Sequence, residues 1–220
     1  MLEDESRIDL ESDDKTDGKR ARNRRRRLKQ LRDAALPLFV AGGIERVTID
    51  DIVQGAGVAK GSFYRYYQDK EDLVDALFAP IAEQILNALD RGRDAMQKAA
   101  TWPETMGAFR QVAFELAPIV IQHRQVILLY LQENRAPAVG ARRPVRRLAS
   151  AITERALAIT HAARAHGDFH DIEPAVSTLT VIGAVERLAF DFLSEEGLVH
   201  EPAAAASALV LLILDGLRRR

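Results

Sequence analysis

An all-α fold is predicted by two observations: apolar residues recur at helical spacings of three and four along most of the chain, and no stretch alternates apolar with polar between hairpin turns. The spacing of glycine and proline breakers adds a third, separating short helical segments before residue 70 from longer ones after it. The expected organisation is a tail over residues 1–18, a basic arm over 19–27, a compact three-helix unit over 28–70 and a larger helical domain over 71–220. With 220 residues, 47% of them hydrophobic, the chain has ample material for a core.

The tail carries 8 acidic and 2 basic residues and no apolar periodicity, so it is expected to stay disordered. The run Lys19 to Arg27, which includes Arg24, Arg25 and Arg26, then feeds a first helix whose apolar stripe is Leu28, Leu31, Ala35, Leu38 and Phe39. Gly42 and Gly43 stop that helix, and Pro37 inside it removes one backbone donor and is expected to bend the axis. Thr48 ahead of Ile49, Asp50 and Asp51 reads as an N-cap followed by acids that complement the helix dipole.

Gly55-Ala56-Gly57-Val58 supplies a tight turn, after which a third short helix runs from Lys60 through Tyr67. Asp69 is expected to cap a long amphipathic helix bearing Leu73, Leu77, Ile81, Ile85 and Leu89. Breakers are expected at Pro103, Pro118, Pro137, Pro144, Gly167, Pro174 and Pro202. The two last segments, 174–196 and 202–219, are apolar enough to want a partner surface, through Val176, Leu179, Ile182, Val185, Ala189 and Phe192 in one and Leu209, Leu212 and Ile213 in the other.

Charge is segregated behind a formal net of −1. The first 18 residues are acidic, residues 19–70 carry 13 basic and 5 acidic groups, and residues 71–220 carry 16 basic and 19 acidic. Only the middle block has the footprint of a polyanion-binding surface. The chain has no cysteine, which excludes disulfides, thiolate metal sites and a cysteine nucleophile. No apolar run reaches the roughly 20 residues of a membrane span, and the acidic N-terminus is unlike a secretory signal, so a cytoplasmic protein without a membrane partner is expected. No phosphate loop, nucleophile elbow or HExxH occurs, so no enzyme is expected and no cofactor is implied. His166 and His170 stand at a metal-like spacing, but Gly167 and the approaching Pro174 put them in a loop, and no metal site is assigned.

Four stretches carry a resemblance: Ala34-Ala35 with Leu38-Phe39, Val47 to Ile52, Ala56 to Tyr67, and Asp69 to Leu73. Together, over about residues 28–78, the sequence resembles the TetR family of bacterial regulators, and beyond them only the layout of helices does. A helix that enters the major groove must present short or flexible side chains at its start, a need met by Ala59, Gly61 and Ser62, with Lys60 able to reach guanine edges or phosphate. Tyr64, Arg65, Tyr66 and Lys70 are long donors suited to flanking phosphates, and Arg24, Arg25 and Arg26 to an adjacent minor groove. Phe63 and Tyr67, four apart, are expected to face the core.

The resemblance implies a phosphate contact for Thr48, a palindromic double-stranded operator, a homodimer joined by the last two helices, and a small-molecule effector in the larger domain. Candidate pocket residues are Trp102, Phe109, Phe114, Tyr130, Glu133 and Phe190. The expected function is a ligand-responsive repressor; the alternative is a ligand-independent DNA-binding or adaptor protein whose helical domain only dimerises or docks a partner. Tyr66 and Tyr67 stand where His and Phe are frequent in the family, so base preference does not transfer.

Overall fold

The structure is a computed structural model that describes residues 5–167, 169–194 and 196–217. Among them are nine α-helices, a single 3-10 turn and no β-strand. The helices are α1 (Glu5–Gly42), α2 (Ile49–Gly55), α3 (Lys60–Tyr66), α4 (Lys70–Lys98), α5 (Trp102–Gln122), α6 (Arg124–Glu133), α7 (Arg143–Arg164), α8 (Pro174–Leu193) and α9 (Pro202–Leu217), with the 3-10 turn over Gly140–Arg142.

The first helix starts at Glu5, upstream of the apolar stripe, and takes in both the basic arm and most of the segment expected as a disordered tail. The Lys and Arg of the arm are good helix formers, so the backbone there continues the turn begun by the packed stripe. Residues 1–4 of the tail lie outside the described residues. Leu31, Ala35 and Phe39 are fully buried, and α1 ends where Gly43 adopts φ +82°, the left-handed region that glycine enters without a Cβ penalty. Thr48 and Asp51 form a reciprocal capping box at α2, and the Asp69 carboxylate accepts from the Asp72 N–H at the start of α4, both as the sequence predicts. A second capping box, Thr101 with Glu104, starts α5.

All eight prolines fall at one of three kinds of place. Pro103, Pro144, Pro174 and Pro202 sit in the first turns of α5, α7, α8 and α9, where a missing N–H costs nothing, and Pro137 lies in the loop before the 3-10 turn. Pro37, Pro80 and Pro118 are inside α1, α4 and α5. Pro118 therefore does not separate two helices as expected. All three internal prolines are exposed, where water can reach the carbonyl that loses its partner at Pro37 and Pro118, while the Ala76 carbonyl freed by Pro80 accepts from the Arg32 guanidinium at 3.4 Å. The break comes instead at His123, across which α5 and α6 turn by 103°.

Two buried clusters organise the bundle. The larger joins the N-terminal unit to the near part of the helical domain through Phe39, Ile44, Ile52, Phe63, Leu73, Phe78 and Ile81, and continues to Leu129, Val145 and Leu148. The smaller, Leu89, Met96, Ala108, Ile159 and Ala163, fills the far end. The α4 helix, about 43 Å long at 1.5 Å per residue, supplies side chains to both, with Ile85 packed against each.

The seam between α4 and α5 closes on Gly92. A Cβ there would stand 2.1 Å from Val112 Cγ2, so nothing larger than glycine fits unless the Val112 side chain shifts. Gly92→Ala is expected to destabilise the fold by about 1–3 kcal/mol, read as a lower midpoint in thermal unfolding. Combining it with Val112→Ala should recover part of the loss, and equal losses in the single and double variants would place the strain elsewhere.

Candidate nucleic-acid interface

The N-terminal unit is built around α3, which is fixed from beneath. Phe63 is fully buried and Tyr67 nearly so, their ring centroids 5.7 Å apart, and the Tyr67 hydroxyl donates to the Leu28 carbonyl at 3.4 Å. Both residues face the core, in agreement with their spacing in the sequence. With these anchors turned inward, Ala59, Lys60, Gly61, Tyr64 and Arg65 are turned to solvent, while Ser62 and Tyr66 are half-buried. Tyr64 is 54% exposed and stands edge-on to Phe63 at 5.5 Å, which limits its freedom without covering it. The Lys60 ammonium pairs with the Asp50 carboxylate at 2.8 Å, holding the start of α3 to the start of α2 and raising the affinity of Lys60 for its proton.

Two expected phosphate contacts take other roles. The Thr48 hydroxyl accepts from the Asp51 N–H at 3.1 Å and donates to the Asp51 carboxylate at 2.7 Å, which also accepts the Thr48 N–H at 2.8 Å. Both polar groups are thus spent on the cap. Lys70 turns inward and donates to the Glu45 and Val47 carbonyls at 3.0 and 2.9 Å, and burial there lowers its affinity for the proton. It ties the turn between α1 and α2 to the start of α4 instead of reaching outward.

The arm lies on the same unit. Arg24, Arg25 and Arg26 are exposed on α1 and make no ion pair among the described residues. Arg26, Arg27, Lys29 and Gln30 line one wall of a groove of about 730 Å³ whose opposite wall is Gly55 and Ala56. The Gln30 amide donates across it to the Ala56 carbonyl at 2.6 Å, a link between α1 and the α2–α3 turn that no local pattern marks.

The six candidate pocket residues do not come together. Trp102 sits beside Phe169 at 5.7 Å, Phe109 packs on the far cluster, and Phe190 is half-buried on α8. Phe114 is 82% exposed, because α5 turns that side of itself to solvent, and it lines no interior space. Tyr130 and Glu133 are buried in polar contacts: the Tyr130 hydroxyl donates to Glu186 at 3.2 Å, and burial pushes its ionisation well above the usual tyrosine range. Glu133 accepts from the Ile44 N–H at 2.9 Å and pairs with Arg142. None of the six borders the open groove of about 670 Å³ between α4 and α7, which is lined by Arg93, Gln97, Ala99, Ala158, His161, Ala162, Ala165 and His166. His166 approaches the Thr105 hydroxyl at 3.3 Å, and the His170 N–H donates to the Leu217 carbonyl.

On α8 and α9 the expected partner-facing residues are uncovered in part. Val176, Leu179, Val185 and Leu212 are 57%, 55%, 41% and 73% exposed, with Leu211 of α9 at 50% beside them in sequence. Ile182, Ala189, Leu209 and Ile213 are half-buried, and Phe192 lies under the Arg124 guanidinium at 5.2 Å.

Residues 31–77 match the family described as bacterial regulatory proteins, tetR family. Curated relatives include the HTH-type transcriptional repressor KstR2 of Mycobacterium tuberculosis, 29% identical over 45% of this chain and 47% of its own. The HTH-type transcriptional regulator TcmR of Streptomyces glaucescens is 34% identical over 43% of this chain and 41% of its own. The match spans about half the length of these relatives, or a little less. Among solved structures, the TetR family regulator PfmR from Thermus thermophilus is similar over 86% of this chain and 99% of its own, with a TM-score of 0.64 and 20% identity. The regulator FadR from Bacillus subtilis, solved with stearoyl-CoA, covers 86% and 98% with a TM-score of 0.64 and 17% identity. The buried frame of Phe39, Phe63 and Tyr67 and the exposed face of α3 fall within the same stretch, so it is the N-terminal unit of this chain that is similar to the tetR family of bacterial regulatory proteins, while the rest of the chain shares the fold of the solved structures.

Proposed function

We propose that the protein is a homodimeric transcriptional repressor that holds a palindromic operator and lets it go when a small apolar or amphipathic effector binds the helical domain. The observation that carries this reading is the outer face of α3, where Lys60, Gly61, Tyr64 and Arg65 project from a helix locked beneath by Phe63 and Tyr67, inside the one strongly basic block of the chain. A helix that is rigid below and short-chained at its start lets the backbone approach base edges, while Tyr64 and Arg65 hold flanking phosphates and set the register, and Arg24, Arg25 and Arg26 enter the adjacent minor groove. The repressor KstR2 supports the direction of control, and the stearoyl-CoA held by FadR exemplifies the effector class. The apolar faces of α8 and α9 would join two copies, placing two α3 helices about 34–36 Å apart, one turn of the duplex. The site of action is the cytoplasm, where the operator is.

Selection from a random duplex pool with the full-length protein is expected to recover one palindromic sequence, and Lys60→Ala and Tyr64→Ala are expected to lose it without a change in unfolding midpoint. Recovery of no enriched sequence at physiological salt would overturn the repressor reading and favour an adaptor.

Lys70→Met should behave oppositely to Lys60→Ala. It leaves two carbonyls without their donor and is expected to destabilise the head by about 1–3 kcal/mol, visible in thermal unfolding. A loss of DNA affinity at unchanged stability would return Lys70 to the phosphate-binding set.

Leu179→Glu combined with Leu212→Glu places charge on the exposed apolar faces of α8 and α9. Light scattering is expected to give a monomer's mass for the double variant and a dimer's for the parent, and a dimer in both would move the interface to another face.

A further inference from the structure

The end of α1 is held by a group from outside the N-terminal unit. Gly43 turns the chain at φ +82°, and the next residue, Ile44, is fully buried. The acceptor of its N–H is Oε1 of Glu133, the last residue of α6, at 2.9 Å. Glu133 is 5% exposed, and its second oxygen takes the Arg142 guanidinium from the 3-10 turn. The fit is close on the head side: a Cβ on residue 43 would stand 3.2 Å from Glu133 Oε1.

The same stretch of chain is bound at its other side to α8. Tyr130 and Asn134 donate to Glu186 Oε1 at 3.2 and 2.7 Å, and Arg135 donates to Glu186 Oε2 at 3.2 Å. Glu186 stands among Ile182, Val185 and Ala189, the residues expected to face a second copy. Two carboxylates therefore anchor α6 and its end on both sides, Glu186 to the helix that bears the apolar face and Glu133 to the turn from which α2 and α3 depart, with the backbone of α6 joining the two. A buried carboxylate with an N–H and a guanidinium both donating to it has two fixed directions, so the turn cannot pivot about α6 without leaving one donor unmet.

We propose that Glu133 is a positioning residue for operator recognition: by fixing the turn between α1 and α2 to α6, and through Glu186 to α8, it sets the separation of the two reading helices in a dimer. This rests on the repressor reading, and it predicts a property that a residue serving stability alone would not affect, the preferred spacing of half-sites.

The test uses the full-length protein and duplexes carrying the selected half-sites with the spacer changed one base pair at a time, alongside a duplex with a single half-site. The parent is expected to favour one spacer by about tenfold or more over its neighbours, and Glu133→Gln to flatten that preference by about tenfold, the worth of one charge-assisted hydrogen bond. Affinity for the single half-site and the dimeric mass should stay unchanged. A spacer profile of parental shape, lowered uniformly, would overturn the proposal and leave Glu133 as a stabilising residue only. Should Glu133→Gln fail to fold, hydrogen exchange on the parent decides: the Ile44 amide is expected to exchange together with the amides of α6, and exchange in step with α2 and α3 but faster than α6 would overturn it. A parent that selects no operator at all would defeat the repressor reading, a result separate from the exchange pattern at Ile44.

Discussion

The apolar face of α4 is the constraint on which the rest of the molecule depends. Leu73, Phe78 and Ile81 close the core beneath α3, while Leu89 and Met96 belong to the second cluster at the far end. One uninterrupted helix is thus shared by two cores, and neither can shift along its axis without the other. The cost of opening either is large, since each buried aliphatic side chain contributes on the order of 1.5–3 kcal/mol. The surface features follow from that anchoring: α3 is presented because Phe63 and Tyr67 have a floor to rest on, and the Gly92–Val112 approach keeps α5 within reach of the same rod.

The fold was legible in the sequence wherever a local rule decides the outcome. Thr48 with Asp51 and Asp69 with Asp72 are contacts three residues apart, so a cap is written within one turn. Helical spacing placed Leu31, Ala35, Phe39, Phe63 and Tyr67 in the interior because burial of one stripe is a property of the helix itself. What escaped is what tertiary partners decide. Lys70 reads as a phosphate donor from its neighbours in sequence, yet two carbonyls of a turn some 25 residues earlier claim it. Glu133 and Tyr130 read as polar points in an apolar pocket, and their partners are 89 and 56 residues away. Pro118 reads as a break, yet it lies inside α5 on an exposed face, where water can reach the carbonyl it frees.

The candidate interface divides in the same way. Lys60, Tyr64 and Arg65 were legible because an exposed face is the complement of a buried one, and Phe63 and Tyr67 define it. The Gln30 to Ala56 bond, which closes the arginine-lined groove, had no signal, since glutamine on a polar helix face is compatible with any surface. Thr48 shows a competition that sequence cannot settle: the same hydroxyl suits a helix cap and a phosphate, and the nearer partner wins because it is already in place.

The three internal prolines have a geometric consequence. Helices on a globular core curve with their convex side toward water, where the backbone hydrogen bonds lengthen. Pro37, Pro80 and Pro118 each delete a backbone bond on that outer side, so the curvature they favour has the same sense as the curvature the core already imposes. Three of the helices carry such a deletion on the side that faces water, like barrel wood scored on the convex side so that it closes without splitting.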